Sequence, residues 1–120
     1  MNIILTPTTL ALKAVLSEGI TTTNPDFLAA YVDVMETSFV EGSNDGALNG
    51  VTAVELLAAP AALTTRVIQE IIIHNKDTVT HTITILINNG AQVIWRGTLL
   101  TLETYSFDGT YDATGRRKIV

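Results

Sequence analysis

The chain has 120 residues, no cysteine and a formal net charge of −5. This length suits one domain with its own core, and the missing cysteines exclude disulfide bonds and thiolate metal sites. The acidic balance argues against a protein that binds nucleic acid chiefly through phosphate contacts. Charged residues make up 16% of the chain, below the ordinary ~25%, which is compatible with a surface partly hidden in an assembly.

Residues 1–8 contain a short apolar run that ends at Pro7, and they predict an extended N-terminal arm. The run lacks a basic flank and is too short for a signal peptide. No stretch approaches the ~18 apolar residues of a membrane span, so we expect synthesis in the cytoplasm and no membrane partner. Residues 9–120 are expected to form a single domain.

The next segments predict two strands joined by a loop. Thr9–Leu16 alternates in hydrophobicity, which favours a strand, although its Ala, Leu and Lys residues also suit a helix. Ser17–Asp26 contains a glycine, three successive threonines and an Asn-Pro pair, which are typical of a loop. Phe27–Met35 predicts a second strand, with a short helical turn as the competing interpretation.

The middle of the chain predicts a turn, a strand and a passage between sheets. Glu41–Gly46 is rich in turn-forming residues and predicts a loop. Val51–Leu57 is compatible with a strand. Ala58–Ala62 has small side chains around Pro60, which keeps it out of a helix interior, and it predicts a crossing between two sheets.

The clearest strand pattern lies in Arg66–Leu102, which predicts three consecutive antiparallel strands. The first is rich in β-branched residues. The second, Val79–Ile87, places branched apolar side chains and His81 on one face and threonines on the other. The Asn-Gly pair that follows suits a hairpin turn. Gln92–Arg96 is predicted to be the third strand, antiparallel to the second.

Leu99–Phe107 predicts another strand, and Arg117–Val120 a short final one. Eight or nine short strands separated by turns are typical of a sandwich. The sequence therefore predicts an all-β fold, an antiparallel, jelly-roll-like β-sandwich with an extended N-terminal arm.

The second half has a distinctive order of features. Ala58–Ala62 is followed by Arg66 and by a β-branched strand that ends at Asn75. A threonine-rich strand, a polar tip and an apolar strand come next. An acid then leads an aromatic strand, Glu103-Thr104-Tyr105, before a glycine-containing tail at Asp112–Arg116.

In this order, and in Ala30-Tyr31-Val32-Asp33 upstream, the chain resembles small structural proteins of tailed bacteriophages. The resemblance covers most of the chain. It departs from the family pattern at Leu100–Leu102, where a glycine-bearing turn usually precedes the acid.

The resemblance implies a non-enzymatic virion component without cofactors. We expect a capsid decoration (cement) protein on the capsid surface, a homo-oligomer with a trimer favoured, whose partner is the major capsid protein of the same phage. A head–tail connector or tail-associated protein is the alternative within this class. A carbohydrate-binding module that uses Trp95 and Tyr105 is the alternative from another class.

Contact residues are predicted in three segments: the N-terminal arm, the loop Ser17–Asp26 (the threonine loop) and Arg116–Lys118 (the basic tail). They are Ile3, Ile4, Leu5, Pro7, Thr21, Thr22, Thr23, Arg116, Arg117 and Lys118. Seven of the twelve acids precede Pro60, with Lys13 as the one base among them. The basic tail is therefore expected to pair with an acidic patch on a neighbouring copy rather than with nucleic acid.

Residue patterns for catalysis or metal binding are weak. His74 and His81 flank a turn that contains Asp77, but spacing places no third ligand, so ordinary strand-end histidines are favoured over a metal site. The segment around Asp45 lacks the ligand register of a calcium loop. Hydrolase, phosphate-loop and dinucleotide motifs are absent from the sequence, and we expect no catalytic residue.

Overall fold

The computed structural model describes residues 3–8, 11–87 and 92–107, and this part of the chain is all-β. Its strands are β1 (Ile3–Leu5), β2 (Leu12–Leu16), β3 (Asp26–Val34), β4 (Phe39–Ala47), β5 (Val54–Leu57), β6 (Thr65–His74), β7 (His81–Ile87), β8 (Gln92–Leu99) and β9 (Thr104–Phe107). Within the described residues no helix is long and apolar enough to cross a membrane.

Two antiparallel sheets pack face to face, so the predicted β-sandwich is confirmed. The five-stranded sheet has the order β1-β6-β3-β4, and β9 pairs with β6 on the same side as β1. The four-stranded sheet has the order β5-β2-β7-β8. Every paired strand in both sheets is antiparallel to its neighbour.

The core lies between the sheets and is built from alternate residues of each strand. In β7, Ile83 and Ile85 are fully buried, and in β6, Ile71 and Ile73 face them from the other sheet. Full burial of one such side chain contributes about 1.5–3 kcal/mol to the free energy of unfolding. The alternation in Val79–Ile87 thus predicts the buried face of β7, although the strand begins at His81.

The predicted meander is wrong for its first pair of strands. β7 and β8 form the expected hairpin, but β6 belongs to the other sheet and pairs with β3. Residues 75–80 carry the chain from one sheet to the other and bury the polar side chains of Asn75 and Asp77 on the way. Residues 58–62 make the reverse passage, as predicted, between β5 and β6.

The loop predicted at Glu41–Gly46 is instead part of β4. Two glycines in this segment lie beneath aromatic side chains of β3. A Cβ on Gly42 would collide with the Tyr31 ring, and one on Gly46 would lie 3.2 Å from the Phe27 ring. The turn-like composition therefore reflects the space that these two rings occupy over β4.

The ends of other elements also differ from prediction. The N-terminal arm is in part strand β1, and Thr9–Leu16 contains strand β2 rather than a helix. Leu99–Phe107 is interrupted by a turn at 100–103, in which Leu102 has a φ of 64°. That conformation favours glycine, and here a leucine adopts it. The predicted strand Arg117–Val120 lies outside the described residues.

We predict that Gly42→Ala lowers the free energy of unfolding by about 1–3 kcal/mol, because the added methyl group overpacks the Tyr31 ring. Arg66 lies over that ring, 4.0 Å from its centroid, so the ring cannot move away without losing this contact. Gly19→Ala is the control, since a Cβ there meets nothing within 4 Å. Urea unfolding of both variants tests this, and equal stabilities would contradict it.

Candidate functional site

A polar cluster lies at one end of the sandwich, where two loops meet the start of β7. Its members are Glu18, Asn75, Asp77 and His81, which come from the loop after β2, the passage from β6 to β7 and the first residue of β7. Asn75, Asp77 and His81 are buried, whereas Glu18 is exposed. Buried polar groups are costly unless they are hydrogen-bonded, so their partners decide what this cluster does.

The Asp77 carboxylate holds the threonine loop. It accepts backbone N–H bonds from Thr21 at 2.8 Å, Thr22 at 2.8 Å and Thr23 at 3.3 Å. It also accepts the Thr22 hydroxyl at 2.9 Å and the backbone N–H of Thr78 at 2.8 Å. The loop 21–23 is therefore fastened through its backbone to an acid more than fifty residues away.

His81 lies between two carboxylates. Its Nε2 is 2.6 Å from Asp77 Oδ2, and its Nδ1 is 2.8 Å from Glu18 Oε1. Ionised carboxylates only accept hydrogen bonds, so both ring nitrogens must carry a proton. The geometry thus describes an imidazolium that bridges a buried and an exposed acid.

The pKa values follow from these contacts. Burial opposes the charge on His81, but its bonds to Asp77 and Glu18 outweigh burial and raise the pKa of His81 above 6.5. Burial likewise opposes ionisation of Asp77, yet the donors from Thr21, His81 and Thr22 hold its pKa far below the ordinary value. The hydrogen bond from Ser17, joined by His81, lowers the pKa of Glu18.

Asn75 connects the same passage to the turn before β9. Its Nδ2 donates to the carbonyls of Val79 at 3.0 Å and Leu99 at 2.9 Å, and its Oδ1 accepts the Asp77 N–H at 3.0 Å. Its backbone N–H donates to Glu103 and its carbonyl accepts from Leu102. Through its side chain and backbone together, Asn75 thus joins its own passage to the end of β8 and to the turn before β9.

The cluster fastens loops and does not position a nucleophile. Both His81 nitrogens face carboxylates, and the Ser17 hydroxyl donates to Glu18 rather than to the imidazole. His74, which ends the strand before the same turn, lies with its Nδ1 2.7 Å from Thr104 Oγ1. Among the described residues, no group of three or more His, Asp or Glu side chains is placed to hold a metal ion.

A second polar cluster fastens the passage between β5 and β6. Arg66 forms a two-pronged contact with Asp33, Nε to Oδ1 at 2.7 Å and Nη2 to Oδ2 at 2.9 Å. Its Nη1 donates to the Ala58 carbonyl at 2.9 Å, and its guanidinium lies over the Tyr31 ring. Arg66 therefore joins β6 to β3 and to the passage at Ala58 in one contact set.

The outer surface of the five-stranded sheet carries an apolar patch at one end. Its residues are neighbours by strand register, since Val67 lies between Ile4 and Val32 while Val34 pairs with Phe39. Ile4 and Val34 are each 45% exposed and Phe39 is 72% exposed. We call these five residues the outer apolar patch.

The fold buries some of the predicted contact residues and exposes others. Ile3 and Leu5 are buried in the core through β1, so their side chains do not face a partner, whereas Ile4 and Pro7 are exposed. The side chains of Thr21, Thr22 and Thr23 are exposed on a loop whose backbone Asp77 fixes. Arg116, Arg117 and Lys118 lie outside the described residues.

The aromatic pair predicted for the carbohydrate alternative stacks, with ring centroids 4.2 Å apart and planes at 28°. Tyr105 is fully buried, and Trp95 is half-buried against the core. Gly97 leaves the space that the Trp95 ring occupies. The pair therefore packs between the two sheets.

Comparison of the chain with protein-family models, curated proteins and solved structures gives no match.

We predict that the stabilisation contributed by His81 is complete below about pH 6.5 and declines as the pH rises through the raised folded-state pKa. The reason is that a neutral imidazole loses one of its two carboxylate bonds. Urea unfolding of the wild type and of His81→Gln is measured over a pH series that starts below pH 6.5. The difference between their free energies of unfolding should shrink as the pH rises. His74→Gln should leave this pH dependence in place, and a constant gap for His81→Gln would contradict the bridge.

We predict that Asn75→Ala lowers the free energy of unfolding by about 2–4 kcal/mol, because each buried polar group left unpaired costs ~1–3 kcal/mol. The exposed Asn49→Ala is the control and should change stability little. Denaturant titration measures both values. A loss for Asn75→Ala no larger than that of the control would show that the Val79 and Leu99 carbonyls find other partners.

Proposed function

We propose that the chain is a structural component of a tailed-bacteriophage virion, a capsid decoration (cement) protein. It binds the outside of the assembled shell and bridges neighbouring major capsid protein subunits. It works by burying surface and not by catalysis. The sequence resemblance motivates this proposal, and the character of the exposed surface supports it.

The outer apolar patch is the observation that carries the proposal. Exposed apolar side chains are ordinary when scattered, but contiguous ones mark contact surfaces. Here Phe39 and Val34 pair directly, Val32 extends the patch along β3, and Val67 and Ile4 continue it across two further strands, β6 and β1. The patch lies on a sheet, which presents it as a flat, fixed surface suited to another protein rather than to a small ligand.

The two polar clusters support the same role by removing freedom from the loops. The Asp77–His81–Glu18 contacts hold the loop 21–23, and Arg66 holds the passage beside Ala58. Binding costs less when the contacting segments are already ordered. A ligand that binds only the assembled shell then stabilises that shell by mass action.

The same surface would serve a connector or tail-associated protein, and location on the particle separates the two. The carbohydrate alternative is less favoured, because Tyr105 is buried beneath Trp95 and offers no sugar platform.

We predict that the double variant Val34→Ser, Phe39→Ser binds purified shells at least about tenfold more weakly, equivalent to ~1.4 kcal/mol of lost binding free energy. Leu102→Ser is the matched control, since Leu102 is also 72% exposed but lies in the turn before β9. Co-sedimentation of each folded variant with shells that lack the native protein measures occupancy. Equal occupancy of all variants would remove the patch from the proposal.

A further inference from the structure

Strand β4 is a long edge. Among the described residues it pairs with β3 alone, over all nine positions from Phe39 to Ala47. Its residues are exposed except for Gly42, and it contains no proline. Natural sheets usually shorten, charge or cover such edges, because unpaired N–H and C=O groups accept another strand.

The strand register identifies which backbone groups are unpaired. The Met35 N–H donates to the Ser38 carbonyl at 2.8 Å, which makes these residues a hydrogen-bonded pair at the hairpin end. Bonded and non-bonded pairs alternate along an antiparallel ladder. The residues that direct their N–H and C=O groups away from β3 are therefore Phe39, Glu41, Ser43, Asp45 and Ala47.

The charges on that edge select the incoming strand. Glu41 and Asp45 are its ionisable residues, and both are acids. Two β4 strands paired symmetrically about Ser43 would set Glu41 opposite Asp45, and like charges in that position are destabilising. The edge instead suits a strand with bases at alternate positions.

The C-terminal segment Arg116–Val120 has that pattern. In an extended strand, Arg116, Lys118 and Val120 share one face. Run antiparallel to β4, it sets Val120 opposite Phe39, Lys118 opposite Glu41 and Arg116 opposite Ser43. Arg116 is then diagonal to both acids, Lys118 lies opposite one of them, and Val120 lies opposite an apolar residue.

We infer that the β4 edge of one copy binds residues 116–120 of a second copy as an added antiparallel strand. The last described residue of the same copy lies far from this edge. β9 ends at Phe107 on the far side of β6, and a tail strand beside β4 would run parallel to β9 across four strand spacings, about 19 Å. A tail of the same copy would have to cross β6, β3 and β4 to reach the outer edge of β4, whereas the tail of a second copy can approach that edge from outside.

In this pairing, each copy binds the C-terminal segment of one neighbour at its β4 edge and inserts its own C-terminal segment beside β4 of another. Such head-to-tail contacts close into a ring when the rotation between copies allows it. The expected homotrimer is one such ring. The inference concerns how the chain assembles with itself and does not depend on the proposed place in a virion.

Cysteine cross-linking tests the pairing directly, because the chain has no cysteine of its own. Full-length Ser43→Cys and an affinity-tagged Arg116→Cys are mixed and oxidised. Facing residues of a hydrogen-bonded pair lie about 5.5 Å apart between Cα atoms, within the range that a disulfide spans. We expect a covalent dimer that contains one copy of each variant. Gln92→Cys is the control, since Gln92 is exposed on β8 in the other sheet, and it should not cross-link to Arg116→Cys.

The double variant Ser43→Cys, Arg116→Cys in one chain distinguishes binding of the tail of the same copy from binding of the tail of a second copy. Cross-linked oligomers support the second copy, whereas a cross-linked monomer overturns it. Equal cross-linking of the Gln92 control would also overturn the inference.

Charge reversal gives a second test by sedimentation. Glu41→Lys with Asp45→Lys should weaken self-association at least about tenfold, and adding Arg116→Glu with Lys118→Glu should restore it. Glu36→Lys with Glu55→Lys makes the same change in net charge and should have little effect. A wild-type chain that stays monomeric, or equal weakening by both pairs, would refute the inference. Shell binding is measured separately, so either proposal can fail alone.

Discussion

The fold depends on the passage of the chain from β6 to β7, and that passage depends on two buried polar side chains. Asn75 donates to the carbonyls of Val79 and Leu99, and Asp77 collects donors from a loop more than fifty residues away. His81 then offsets the buried negative charge and carries the connection out to Glu18. Because these groups are mutually satisfied, the chain can change sheets in six residues, 75–80, without leaving unpaired polar atoms in the core.

This constraint places binding features on rigid parts of the molecule. Loops that would normally be mobile are held by Asp77 at one end and by Arg66 beside the other passage. Within the described residues, the two surfaces on which the proposals depend lie on strands, namely the outer apolar patch and the edge of β4. Fixed contact surfaces are what the proposed role in bridging other subunits requires.

Much of the fold follows from the period-2 alternation in the sequence, as in β3 and β7. This alternation does not predict the structure where packing or tertiary contacts determine which residues are present. The glycines of β4 look like turn residues, but they make room for Tyr31 and Phe27. Asn75 and Asp77 also look like a turn, and only tertiary contacts show that the chain crosses between sheets there. The position of His81 on an apolar row predicts its burial, whereas its partner Glu18 is 63 residues away and carries no local signal.

Position on the virion tests the central claim most directly. Gold-labelled antibody against the chain, applied to intact purified particles and counted by electron microscopy, reports whether the protein is present and where. A decoration protein predicts label spread over the whole head. Label confined to one vertex or to the tail would contradict decoration and favour the connector or tail alternative, and intact particles without label would contradict a place on the outer surface of the virion.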